Sequence, residues 1–87
     1  MTPERDSVGP PPKGFEWTAI EGADHYELGL SNDLDGVVFS HNDVRGTTLA
    51  MPAEVSLMAG TYFWRVTAER AGRLVGDSGR SAFVVRE

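Results

Sequence analysis

Apolar and polar residues alternate along most of this chain, which is the pattern of β-strands that bury one face. The alternation is clearest over 62–68, where Tyr62, Trp64 and Val66 share one side of the segment. The segments that this pattern marks as strands are 15–19, 26–30, 37–39, 47–51, 62–68 and 82–85. No helical period of 3.6 residues persists anywhere, so the pattern predicts a protein built only of strands.

Turn-forming residues separate these segments at intervals of about 8 to 12 residues, as in an all-β domain. Residues 21–24 predict a turn, and Asp35-Gly36 is a strong hairpin signal. Residues 41–46 predict a loop, 53–60 a connection closed by a glycine, and 70–80 a long hairpin loop. Short strands at this spacing favour a β-sandwich or a small barrel.

The first residues differ from the rest because they are rich in proline, which excludes a helix and disfavours a central strand. We therefore divide the chain into an N-terminal lead-in over 1–13 and a β-domain over 14–87. A short edge strand is expected near Arg5–Val8, followed by an extended segment at Pro10–Pro12. The length of 87 residues suits one domain.

The inward sides of the predicted strands define an expected core. Its predicted members are the large apolar residues Phe15, Trp17, Tyr26, Leu28, Leu30, Leu49, Leu57, Tyr62, Trp64, Val66, Phe83 and Val85. Both tryptophans fall on the inward side. The chain has no cysteine, so neither a disulfide nor a thiolate metal site contributes to stability.

The formal net charge of −5 argues against a nucleic-acid partner, because binding phosphates requires an excess of Lys and Arg. The charge is uneven, since Arg65, Arg70, Arg73, Arg80 and Arg86 lie in the last quarter of the chain. These arginines are either a solvated surface or a basic face that contacts an acidic partner. No apolar run has the roughly 18–20 residues of a membrane span, so no direct membrane insertion is expected.

Two motifs suggest chemistry, and each has a plainer interpretation. Gly76-Asp77-Ser78-Gly79 is similar to the nucleophile motif of trypsin-like proteases, but a serine nucleophile needs a histidine and an acid beside it. An 87-residue sandwich has no room for that enzyme's two barrels, so we expect the tip of a hairpin and no catalytic residue. His25 and His41 are too isolated to bind zinc.

Residues 31–36 partly match a calcium-binding loop, with oxygen ligands from Ser31, Asp33 and Asp35. The glutamate that should complete the site is replaced by Asn42, and strands stand where helices should flank the loop. We expect a hairpin turn here, with weak calcium binding as the alternative. No metal and no cofactor are predicted elsewhere.

Phe63 is the outward aromatic residue that merits attention, because it points away from Tyr62 and Trp64. We expect it to lie with Val84 at the apolar centre of a protein-contact face. The arginines expected at the rim of this face are Arg65, Arg86 and Arg73.

The order of several short motifs resembles fibronectin type III domains, especially the bacterial variety. The matching positions are Trp17, Gly22-Ala23, Tyr26, Gly60-Thr61-Tyr62, Trp64-Arg65-Val66 and Ser81–Val85. The resemblance covers about residues 14–86 and implies a seven-stranded immunoglobulin-like sandwich with strands A-B-E packed against C′-C-F-G. It also implies that Tyr62 is the corner tyrosine, whose hydroxyl bonds to backbone near Leu57.

Domains of this kind bind proteins or separate other domains, and they have no catalytic residues. The resemblance therefore implies a non-catalytic protein-binding or spacer module of a larger bacterial protein or assembly. It favours an extracytoplasmic location, although the chain carries no signal peptide. Two alternatives remain open: a carbohydrate-binding β-sandwich module and a stand-alone structural subunit of a complex.

Overall fold

The computed structural model describes residues 3–34, 36–52 and 55–86, and every regular element in them is a β-strand. The all-β class expected from the alternation is therefore confirmed. The eight strands are β1 (Ser7–Gly9), β2 (Gly14–Glu16), β3 (His25–Asn32), β4 (Val37–Val44), β5 (Thr48–Ala50), β6 (Gly60–Arg70), β7 (Arg73–Asp77) and β8 (Ser81–Val85).

The strands form a six-stranded sheet and a two-stranded sheet. The larger sheet has the order β1-β8-β6-β3-β4, and the smaller one pairs β2 with β5. The longest strand, β6, pairs on one edge with the whole length of β3, through its residues 62–69. On its other edge it pairs first with β8 and then with β7, so these two short strands follow one another along β6.

Both sheets contribute to one hydrophobic core. Phe15 of β2 contacts Trp64 of β6 with ring centroids 5.1 Å apart, and Trp17 meets Tyr26 edge-on at 5.5 Å. Every predicted core residue is buried except Leu49, which is partly buried against the core. Val44 and Ala68 are buried as well, and the sequence prediction did not include them.

The predicted hydrogen bond of Tyr62 is confirmed, with a specific partner. Its hydroxyl donates to the backbone carbonyl of Met58 at 2.7 Å. The ring is buried and stacks against Phe83 with centroids 5.8 Å apart. A buried tyrosine needs a partner for its polar end, and here a bond to the backbone ties the segment before β6 to the core.

Two predicted loops are partly strands. Residues 41–44 belong to β4, because an edge strand with both sides largely exposed tolerates polar residues such as His41 and Asn42. Within the predicted loop 70–80, Ala71 and Gly72 form a two-residue turn with φ angles of 51° and 77°. Positive φ at both central residues is the geometry of tight hairpins, so β7 starts at once.

The N-terminal strand is found near its predicted position but not in the predicted sheet. β1 runs parallel to β8 in the large sheet, whereas the resemblance implied that it would lie beside β2. Asp6 N–H donates to the Ala82 carbonyl at 2.7 Å, and Arg86 N–H donates to the Gly9 carbonyl at 2.8 Å. These two bonds fix both ends of β1 against β8. Predicted strand 15–19 is also shorter, since β2 ends at Glu16.

Tyr62→Phe should lower the free energy of unfolding by about 1 kcal/mol, because it removes one neutral hydrogen bond and little volume. Urea denaturation measures the change. The matched control is Met58→Ala, which keeps the accepting carbonyl and removes a side chain that is 74% exposed. The control should stay within about 0.5 kcal/mol of the wild type. A loss in Tyr62→Phe that also stays within about 0.5 kcal/mol would show that the hydroxyl bond does not contribute measurably.

Candidate functional site

The surface of the six-stranded sheet that faces away from the core is the candidate contact surface, and we call it the outer face. It is formed by the residues that alternate with the buried ones, as the pleat of a strand requires. Phe63 on β6 lies opposite Ala82 on β8 and opposite Ser31 on β3, and Ser31 lies opposite Val37 on β4. A row of small and apolar residues thus crosses four neighbouring strands.

Two adjoining depressions, of about 230 Å³ and about 400 Å³, lie on the outer face. We call them together the Gly29 groove, because Gly29 lines both. The residues common to the two are Gly29, Ser31, Val37 and Arg65. Phe63 and Arg80 complete one end of the groove, and Glu27 and Ser40 complete the other.

Arg80 covers Phe63, which makes this aromatic residue only half-exposed. The guanidinium carbon of Arg80 lies 3.9 Å from the centre of the Phe63 ring. Such a cation–π contact is worth about 0.5–1 kcal/mol at an exposed position. The sequence pattern predicted a loop at Arg80, and this residue was not among the predicted contact residues. Only the register of β8 against β6 brings it over Phe63, and that register is not visible in the sequence.

Arg65 is on the outer face as predicted, but its charge is already paired. Its Nε donates to both carboxylate oxygens of Asp77 at 2.9 Å, and its Nη2 donates to the same carboxylate. Gly79 N–H donates to Asp77 Oδ1 at 2.7 Å. The hydrogen bond from Arg65 is the largest cause of a lowered pKa of Asp77, and the hydrogen bond from Gly79 is the second. Asp77 in turn raises the pKa of Arg65 through the hydrogen bonds that these two side chains share. This pair fixes the junction between β7 and β8.

The protease-like motif forms that same junction and not the predicted hairpin tip, which is at Ala71 and Gly72. Ser78 N–H donates to the Val66 carbonyl at 2.8 Å, and Ser78 Oγ accepts from Val66 N–H at 3.0 Å. The hydroxyl also donates to the Gly79 carbonyl at 3.0 Å. The serine side chain therefore continues the strand pairing of β6 across an interruption in the opposite strand.

The remaining predicted contact residues are not all close together. Val84 lies half-buried on the outer face opposite Val8 and Thr61, and Arg86 is exposed just after β8. Arg73 pairs with Arg70 at the far end of β6. That position is about 23 Å from Phe63 at about 3.3 Å per strand residue. The structure thus separates Arg73 from the face that contains Phe63, Arg65 and Val84.

The segment considered for calcium is the turn between β3 and β4. Asn32 Oδ1 accepts from Leu34 N–H at 2.9 Å and from Gly36 N–H at 2.8 Å, so this side chain holds the turn. Asp35, one of the three predicted ligands, lies outside the described residues. Within the described ranges, no three His, Cys, Asp or Glu side chains are grouped as a metal site. Nor do those ranges contain a helix that could cross a membrane.

Comparison with known proteins identifies a similar sequence from a bacterium. An uncharacterized protein of Treponema pallidum (strain Nichols) is 43% identical over 65 residues, which cover 71% of this chain. The match covers 9% of that protein, so this chain spans less than a tenth of its length. No known protein family and no solved structure matches the chain.

The Arg65–Asp77 pair predicts how acid affects stability. Because the pKa of Asp77 is lowered by folding, its contribution is complete above the ordinary aspartate value of about 3.9 and is lost as the pH falls through the lower folded value. Asp77→Asn should therefore be less stable than the wild type near pH 6, and the difference should shrink below about pH 4. Urea denaturation across this range measures it.

Arg65→Gln and the double variant Arg65→Gln, Asp77→Asn are the controls for this effect. The double variant should show the same reduced sensitivity to acid as Asp77→Asn, and Arg65→Gln should fall between these variants and the wild type, because Gly79 N–H still lowers the pKa of Asp77. If the free energy of unfolding of Asp77→Asn fell below pH 4 as steeply as that of the wild type, this assignment would be contradicted.

Proposed function

We propose that this chain is a non-catalytic protein-binding module and that the outer face is its contact surface. The main support for the proposal is the row Ala82, Phe63, Ser31 and Val37, which places small and apolar residues side by side across four strands. Val8 and Val37 are 54% and 75% exposed on the outer sides of their edge strands. Arg80 places a guanidinium over Phe63, and arginine and aromatic residues are both enriched in protein interfaces.

The strand order supports a fibronectin type III-like sandwich as the architecture of this module. The pairs β2-β5 and β4-β3-β6-β8 have the same order as the implied B-E and C′-C-F-G strands. β7 and β8 occupy one edge of β6, where a single last strand interrupted at 78–80 would lie. Counted in this way, eight strands correspond to seven. The corner bond of Tyr62 to Met58 also fits the resemblance.

The similar protein is much longer than this chain, and this difference in length supports a role within a larger chain. A segment of 65 residues that covers 9% of a much longer protein is the expected relation of one module to its host. We therefore propose a binding or spacer module of a larger bacterial protein or assembly, with an extracytoplasmic location. A stand-alone structural subunit would use the same face.

Burial of the tryptophans makes carbohydrate binding the weaker alternative. Trp17 and Trp64 are 4% and 1% exposed, so neither ring is available to stack on a sugar. The binding of proteins through Phe63 and its neighbours needs no exposed tryptophan. Catalysis is likewise not part of the proposal, because the hydroxyl of Ser78 is engaged with the backbone of Val66 and Gly79.

The double variant Phe63→Ala, Arg80→Ala tests the contact surface, since it removes the aromatic residue and the cation above it. The immobilised domain is used to capture proteins from the source cell, and bound proteins are quantified by mass spectrometry. Partners retained by the wild type should be depleted at least tenfold on the variant. The matched control is Thr48→Ala on the opposite sheet, which should retain them.

Circular dichroism establishes that each immobilised variant is folded before capture. Partners that bind equally to the wild type and to the double variant would overturn the assignment of the outer face. Partners lost only with Thr48→Ala would move the contact surface to the smaller sheet.

A further inference from the structure

Gly29 lies at a position where the fold does not require glycine. It lies in the middle of β3, paired with Arg65 of β6 on one side and with Ser40 of β4 on the other. Its φ angle lies outside the left-handed region, and a Cβ placed on it would meet no atom within 4 Å. Neither backbone conformation nor lack of space therefore requires glycine here.

Glycine is an unfavourable residue in the interior of a strand, because it loses the most conformational freedom on folding and offers no side chain to pack. β-Branched residues are preferred at such positions. Places where a sequence departs from the best local choice without a structural reason are often functional. What the glycine leaves on this sheet is the open centre of the Gly29 groove.

Neighbouring contacts keep that space open. The Arg65 side chain stands directly opposite Gly29 and is long enough to cover it, but Asp77 holds its guanidinium through three hydrogen bonds on the β7 side. On the β4 side, the residue opposite Gly29 is the small Ser40. The groove is thus bounded by a fixed ion pair on one side and an edge strand on the other.

The charges at the two ends of the groove differ. Arg80 lies at the Phe63 end and has no carboxylate partner among the described residues. Glu27 lines the opposite end. An occupant with one acidic group would be attracted at the first end and repelled at the second, which sets its direction in the groove.

We propose that the Gly29 groove binds an extended peptide segment of a partner protein, with an apolar side chain over Gly29 and an adjacent carboxylate near Arg80. The apolar side chain would contact Phe63 and Val37, the walls of the smaller depression. The proposal rests on the protein-binding function proposed above and specifies the partner's chemistry. A side chain at position 29 would fill the open space above Gly29, so the apolar side chain of the peptide could not bind there.

A library of random seven-residue peptides displayed on phage provides the probe. Peptides selected on the wild-type domain should be enriched in Asp or Glu beside Leu, Phe or Trp. Their affinity, measured by fluorescence anisotropy, should fall at least tenfold with Gly29→Val and at least threefold with Arg80→Ala. Gly29→Val should nevertheless unfold at a higher urea concentration than the wild type, because valine suits a strand and a Cβ at this position has open space around it.

Gly9→Val is the matched control, since Gly9 is also a strand glycine with open space around its Cβ and no left-handed φ angle. It should bind the selected peptides like the wild type. Selected peptides that bind Gly29→Val as well as the wild type would overturn the groove, and so would a failure to enrich any peptide. The proposed function is distinguishable from both, because the capture experiment with Phe63→Ala, Arg80→Ala does not depend on position 29.

Discussion

The pairing of β6 on both of its edges is the constraint on which the rest of the structure depends. β3 pairs with one edge along its whole length, and β8 and β7 divide the other. Because side chains alternate along a strand, this register decides both surfaces of the sheet. Tyr62, Trp64 and Val66 enter the core, and Phe63 and Arg65 are placed on the outer face.

The inward residues were predictable because a period of two is visible in the sequence alone, as the near-complete agreement over the core shows. Features that depend on which strands pair, and in which register, could not be predicted from the sequence. The polar end of β4 has the residue pattern of a loop, and its strand conformation is explained only by its position at the edge of the sheet. Arg80 over Phe63 and Arg65 on Asp77 both join residues on different strands, so only the register relates them. The tight turn at Ala71-Gly72 was hidden by the surrounding glycines and serines.

Gly29 illustrates the same limit from the functional side. In the sequence it is one polar-side residue of an alternating strand, and nothing marks it as unusual. Its importance emerges only when both neighbouring strands, the open space above it and the ion pair beside it are known. A local weakness in β3 and an open groove are then two consequences of one residue, which is how stability and binding are expected to compete at a site.

On this structure, the inward side of β6 builds the core and its outward side is proposed to bind a partner. Amide chemical shifts of the isotope-labelled domain, recorded while a selected peptide is added, distinguish the two sides. The largest changes should fall on outer-face residues of β3 and β6, around Gly29, Ser31 and Phe63, with little change in β2 and β5. Changes concentrated on β2 and β5 would contradict this proposal.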